Sequence, residues 1–177
     1  MKKLFFAAIT LLISLGTLAQ NKQAVTKSSI TYEIKNMGIN TSGKFNGLEA
    51  NINFDKANLP ASSIEATVDV NTLDSDNSMR DNHLKAEDYF DVAHYPKITM
   101  KSTSFKYKGG NNYVGLFNVT IKSKTKAVEV PFTYIETANM GLFKGSFKIN
   151  RADFGIGGKS MVLANEATIV LNVDVSK

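Results

Sequence analysis

Eight runs along this chain alternate apolar and polar residues with a period of two, a pattern that constrains the fold more than any other feature. Successive side chains of a strand point to opposite faces, so each run reads as a strand with one buried face. The first sets Ile30, Tyr32 and Ile34 against Thr31, Glu33 and Lys35. The second carries Leu48, Ala50, Ile52 and Phe54, and the third Ile64, Ala66, Val68 and Val70. The fourth begins with Ile98 and Met100, then changes parity to Phe105 and Tyr107, as a bulge near Ser102–Ser104 would cause. Phe117, Val119 and Ile121 mark the fifth; Val128, Val130, Phe132 and Tyr134 the sixth. Phe143, Phe147 and Ile149 mark the seventh, and Ile169, Leu171, Val173 and Val175 the eighth. The turn-forming stretches KGGNN and KSKTK join neighbouring runs. Eight one-sided strands either stack as a sandwich or close into a barrel, whose interior holds side chains or one small ligand. Periodicity leaves both open.

The first 19 residues stand apart. Lys2 and Lys3 precede an apolar run from Leu4 to Leu15, and Thr17-Leu18-Ala19 supplies small residues where a signal peptidase cuts. A permanent span needs about 20 apolar residues, so the expectation is a cleaved export signal over 1–19 and no stable membrane insertion of the mature chain. Residues 20–177 then form a single domain, placed in the periplasm or secreted. The chain has no cysteine, so no disulfide supports it in an oxidising compartment, and the core must suffice. The net charge of +5 falls to +3 without Lys2 and Lys3. Its lysines are spread along the strands, which argues against a nucleic-acid footprint.

One segment breaks the alternation: NSMRDNHLKAEDYFDVAHYP, Asn77 to Pro96. Asp74, Ser75 and Asp76 offer capping side chains, and Met79, His83, Ala86 and Phe90 recur at helical spacing. This predicts a helix with those four residues on one face, ended by Tyr95-Pro96.

Continued through KITMKS, the segment resembles the signature of the YceI-like family of secreted polyisoprenoid-binding proteins. SSITYEIKNMGINTSGKFNGLEANINF is similar to that family's first two strands with their Met-Gly connection, NVTIKSKTKAVEVPF to its central hairpin, and INRADFGIG to its late Arg-x-Asp-Phe-Gly. Where the family often has histidine before Met-Gly, this chain has Asn36. The resemblance implies an all-β, eight-stranded antiparallel lipocalin-like barrel with a helical lid between strands 3 and 4. It also implies a long isoprenoid or similar lipid in the apolar interior, with no other cofactor.

On that reading the tunnel is lined by Tyr32, Ile34, Leu48, Ile52, Phe54, Val68, Ile98, Met100, Phe117, Val119, Phe132, Tyr134, Phe147, Ile149, Phe154 and Leu171. The same residues would serve equally as ordinary core. Arg80, Asp81, His83, Phe90 and Arg151 form the expected polar rim and lid, with Arg151 on the inward parity of its strand. An arginine there suits a phosphate or carboxylate; the alternative is a structural network anchoring the lid to the barrel. Asp81 and His83, two apart on a helix, do not face each other, so no catalytic pair is expected. His83 and His94 match no zinc spacing, and no metal is expected. GIGGKS lacks the first glycine of a phosphate-binding loop, because Asp153 stands there, and reads as a flexible connection. The rival functions are an envelope protein with a filled core and a lipid-modifying enzyme. The number of subunits is left open, a homodimer included.

Overall fold

The computed structural model describes Lys22 to Ser176; the leader read over residues 1–19 lies outside the described residues. Nine strands form one antiparallel sheet: β1 (Ala24–Asn36), β2 (Ile39–Phe45), β3 (Glu49–Asn53), β4 (Ser63–Asp69), β5 (Lys97–Gly109), β6 (Asn112–Ile121), β7 (Lys124–Glu136), β8 (Met140–Asn150) and β9 (Leu163–Ser176). Their order is β2-β1-β9-β8-β7-β6-β5-β4-β3. The sheet curls until the start of β1 reaches β3, where Gln23 N donates to Ile52 O at 2.9 Å. The lipocalin-like antiparallel architecture is present, with nine strands in place of the expected eight and two edges, β2 and β3, that pair with each other nowhere.

The additional strand is β2. Its sequence INTSGKF has no alternation, because an edge strand with one paired side needs little apolar surface. Only Phe45 is buried. Met37 and Gly38, both at positive φ, make the two-residue turn from β1, a conformation that suits the right-handed twist of a hairpin.

The bulge in β5 lies where the parity change puts it. Its register against β6 shifts between Ser102 and Ser104. Ser102 Oγ accepts from Ile64 N at 2.9 Å, so a side chain takes over where the ladder to β4 ends.

Two ends result. At the far end, Phe54 sits among Phe105, Tyr113, Phe132, Tyr134 and Phe143, all edge-on with ring centroids 5.0–5.6 Å away. Edge-to-face packing suits the ring quadrupoles. Gln23 closes that end, its Nε2 donating to Tyr134 Oη at 2.9 Å and its Oε1 accepting from Phe54 N at 3.3 Å.

At the other end lies the helix α1 (Ser78–Lys85) with its following turns, between β4 and β5. Asn77, rather than Asp74, Ser75 or Asp76, caps it by accepting from Arg80 N at 3.0 Å. The helix stops at Lys85, so the expected single face from Met79 to Phe90 does not form. Met79 is 81% exposed, and Phe90 turns inward from the succeeding turn, its ring 6.1 Å from Phe45. The reason is local: Ala86 leaves the helical region, and Asp91 adopts a left-handed conformation that folds the chain back under the helix. Phe90 N and Val92 N then donate to the carbonyls of Leu84 and Lys85.

Candidate functional site

The inward faces of the strands do not meet at the lid end. They enclose a cavity of about 250 Å³ whose walls are almost wholly apolar, covered by Leu84, Tyr89 and Phe90 of the helical segment. Thirteen of the sixteen residues assigned to a tunnel border it: Tyr32, Ile34, Leu48, Ile52, Val68, Ile98, Met100, Phe117, Val119, Phe132, Phe147, Ile149 and Leu171. Three do not. Phe54 and Tyr134 belong to the filled far end, and Phe154 is packed at the lid end behind the wall residues Ile121, Val130 and Ile156. Alternation reveals which way a residue faces but not how far along the barrel the interior stays open.

Several lining residues were absent from that set. Ile30, Ile64, Ala66, Val130, Phe143 and Ile169 share the inward parity, so their signal was available. Phe45, Leu84, Tyr89 and Ile156 come from a polar edge strand, the lid and a glycine-rich loop, where no periodicity points inward, and Leu163 begins β9 ahead of its alternating run.

The polar residues divide into separate structures. Arg80 and Asp81 are joined through buried Ser75, not to each other. Arg80 Nε donates to Ser75 Oγ at 2.8 Å and Nη2 to the Ser75 carbonyl, while Asp81 Oδ1 accepts from Ser75 N and Oγ. This network fixes the helix to the segment before it. That segment is in turn held to β2 by paired backbone bonds between Lys44 and Asp74 and by their 3.1 Å ion pair.

Arg151 was expected to meet that group and does not. It starts a 3-10 turn (Arg151–Phe154) after β8, is only 3% exposed, and spends its donors on four main-chain carbonyls. These belong to Ile156, Gly158, Leu163 and Ala164, at 2.7–3.2 Å. The GIGGKS stretch is therefore wrapped around a buried guanidinium, contrary to the flexible connection expected. Gly157 lies against the Tyr89 ring, and its N–H donates to Asp88 O at 2.7 Å, which ties this loop to the lid. His83 rests on Tyr89 with centroids 4.6 Å apart, whereas His94 pairs with Asp91 at 2.7 Å, so each histidine has a different neighbourhood. The Asp91 contact raises the His94 pKa above its ordinary value.

One polar atom in the cavity wall is exceptional. Tyr32 Oη is buried and has no hydrogen-bond partner among the described residues. Its ring lies over Gly43, its cross-strand partner; a Cβ there would be 2.5 Å from the hydroxyl. Burial raises the phenol pKa, the charge of Arg80 partly offsets this, and Asp81 and Asp74 add to it. The hydroxyl thus stands at the lid end, within the field of the Arg80–Asp81 group. An unmade hydrogen bond on a buried hydroxyl is costly, roughly 1–3 kcal/mol, so this atom is an open hydrogen-bonding position in an otherwise apolar wall.

A curled antiparallel sheet with an apolar cavity under a helical cover defines a lipocalin-like barrel. More narrowly, the YceI-like domain model matches residues 22–175, and the chain belongs to that family. A UPF0312 protein of Vibrio parahaemolyticus is 29% identical over 169 residues, covering 88% of this chain and 89% of its own. One from Yersinia pestis is 28% identical over 152 residues, covering 82% and 79%. Among solved structures, Burkholderia cenocepacia BcnA aligns with a TM-score of 0.79 at 29% identity, over 83% of this chain and 95% of that one. A polyisoprenoid binding domain from Saccharophagus degradans aligns with a TM-score of 0.63 at 12% identity, over 88% and 97%, a likeness of fold alone.

Proposed function

We propose that this protein binds a polyisoprenoid or similar long-chain amphiphile, and carries, stores or sequesters it after export. The observation that carries this reading is the continuous apolar cavity under the lid of a YceI-like chain. The naming of the Saccharophagus domain for polyisoprenoid binding supports the choice of ligand class. An apolar chain gains about 0.8 kcal/mol per buried CH₂, so affinity needs few polar contacts. At about 250 Å³ the cavity is smaller than common ligand sites of roughly 300–1,000 Å³. A long chain is accommodated by movement of pliant residues such as Met100 and Phe90, or by leaving part of its length outside. Its polar end is received by Tyr32 Oη beside Arg80. Binding is the whole activity, and no group transfer is involved. The basic and apolar sequence of residues 1–19, read as an export leader, supports placement in the periplasm or beyond.

The test is organic extraction and mass spectrometry of protein purified from its exported compartment, together with Ala66→Phe. Ala66 lies between Ala50 and Met100 across the sheet and faces the cavity, so a phenyl ring there fills the ligand's volume. A long-chain lipid on the wild type and none on the folded variant is the expected result. Protein that stays lipid-free after incubation with polyprenyl phosphates, prenylquinones and fatty amides sinks the proposal.

A further inference from the structure

The lid end carries an apolar surface that the cavity does not use. Met37, Ile39, Met161 and Val162 are 74%, 71%, 105% and 52% exposed. Met37 is in the β1–β2 turn, Ile39 begins β2, and Met161 and Val162 lie in the loop entering β9. Met37 N donates to Val162 O at 2.8 Å, so the two pieces are one patch. The patch is continuous with the cavity wall, because Ile34 and Leu163, which line the cavity, are three residues before Met37 and one after Val162.

Its chemistry is unusual for a hairpin tip. Met37 has φ of 51°, a conformation that L residues other than Asn and Asp seldom adopt. An exposed methionine in that position is unfavourable both for its backbone and for its hydration. Within the two segments that form it, residues 34–48 and 154–165, the charged residues are Lys35, Lys44 and Lys159, with exposed Asp153 just before the second segment and Asp88 of the lid bonded to it through Gly157. Lys44 is paired with Asp74, leaving Lys35 and Lys159 exposed beside the apolar tips. Glu33 and Glu166 lie farther back along the strands, and Glu166 is paired with Lys148.

We propose that this rim docks the barrel mouth onto the surface of an anionic phospholipid bilayer. The two methionines, Ile39 and Val162 enter the headgroup boundary, and Lys35 and Lys159 face the lipid phosphates. Apolar side chains flanked by lysines suit such a surface, where insertion and electrostatic attraction add. The inference rests on the lipid-binding reading, since docking there would bring the cavity to the source or destination of its cargo.

The experiment is co-sedimentation of the purified protein with vesicles of phosphatidylglycerol and phosphatidylethanolamine, and with phosphatidylcholine vesicles. Wild type is compared with Met37→Ser, Met161→Ser, the double variant, and Lys35→Gln/Lys159→Gln. All share one N-terminus, so any contribution from residues 1–21 is common to them. We expect binding to the anionic vesicles that weakens about tenfold for each methionine replaced. The double lysine variant and added salt should weaken it further, and phosphatidylcholine should bind poorly. Equal binding by all variants, or no wild-type binding, overturns the proposal. So does a wild-type dimer, seen by sedimentation velocity, that the methionine variants abolish, since a second copy would then cover the rim. Extracted cargo is measured on the same samples. Rim-dependent vesicle binding without cargo would refute the carrier reading while leaving the docking surface in place.

Discussion

The two ends of the barrel are built from the same alternating strands, yet one is finished and the other is not. At the far end every large group has a partner: five rings surround Phe54, and Gln23 bonds to both Tyr134 and the Phe54 backbone. At the lid end the interior stays open, the Tyr32 hydroxyl has no partner among the described residues, and helix and turns replace strands as the cover. Such a division is expected of a receptor. Tight packing at one end supplies the stability that an under-packed, under-bonded site at the other gives up.

Mutations should separate the ends. The largest effect is expected of Phe54→Ala, which removes the hub of the aromatic cluster and should cost about 3–5 kcal/mol in denaturant unfolding. A cost below about 1 kcal/mol would mean that the far end is not the stabilising half. Arg151→Met should lose roughly 3 kcal/mol, because four carbonyls lose a charged donor. Hydrogen exchange should then accelerate across residues 155–164; unchanged exchange there would detach that loop from Arg151.

Tyr32→Phe should have the opposite sign. Deleting an unpartnered hydroxyl should leave stability unchanged or raise it by up to about 1 kcal/mol, while weakening binding of lipids with a polar head more than of plain hydrocarbons. Equal losses for both ligands would remove Tyr32 from head-group recognition.

The smallest effect concerns pH. The Asp74 carboxyl is held below its ordinary 3.8, first by the Asp76 backbone N–H and then by Lys44. A pKa lowered on folding contributes stability that is complete above 3.8 and lost as pH falls through the lower folded value. Asp74→Asn should therefore be slightly less stable than wild type near neutrality and equal to it in strong acid. Because the group is exposed, the difference is small, and a gap that persists in acid would assign it to packing.

Much of this molecule was legible in its residues. Alternation located eight strands, the change of parity at Ser102–Ser104 located the bulge, and the break at Asn77–Pro96 located the lid. What escaped has particular causes. β2 is an edge strand whose polar sequence carries no period. The helix ends early because of backbone bonds among Leu84, Lys85, Ala86, Phe90, Asp91 and Val92, which spacing cannot show.

The division between sequence and tertiary structure follows from the range of the forces. Periodicity, turn residues and the absence of cysteine are local properties, and they determined that this chain makes one-sided strands needing a shared apolar interior. Where that interior is filled and where it is open depends on contacts across the barrel, such as Gln23 on Tyr134, |i−j| of 111. The same holds for the buried arginine, whose carbonyl partners are settled by the path of a loop. Phe54 and Phe117 read alike as inward aromatics. Only the closing of the sheet, with the rings gathered around Phe54, made the first a plug and the second a wall.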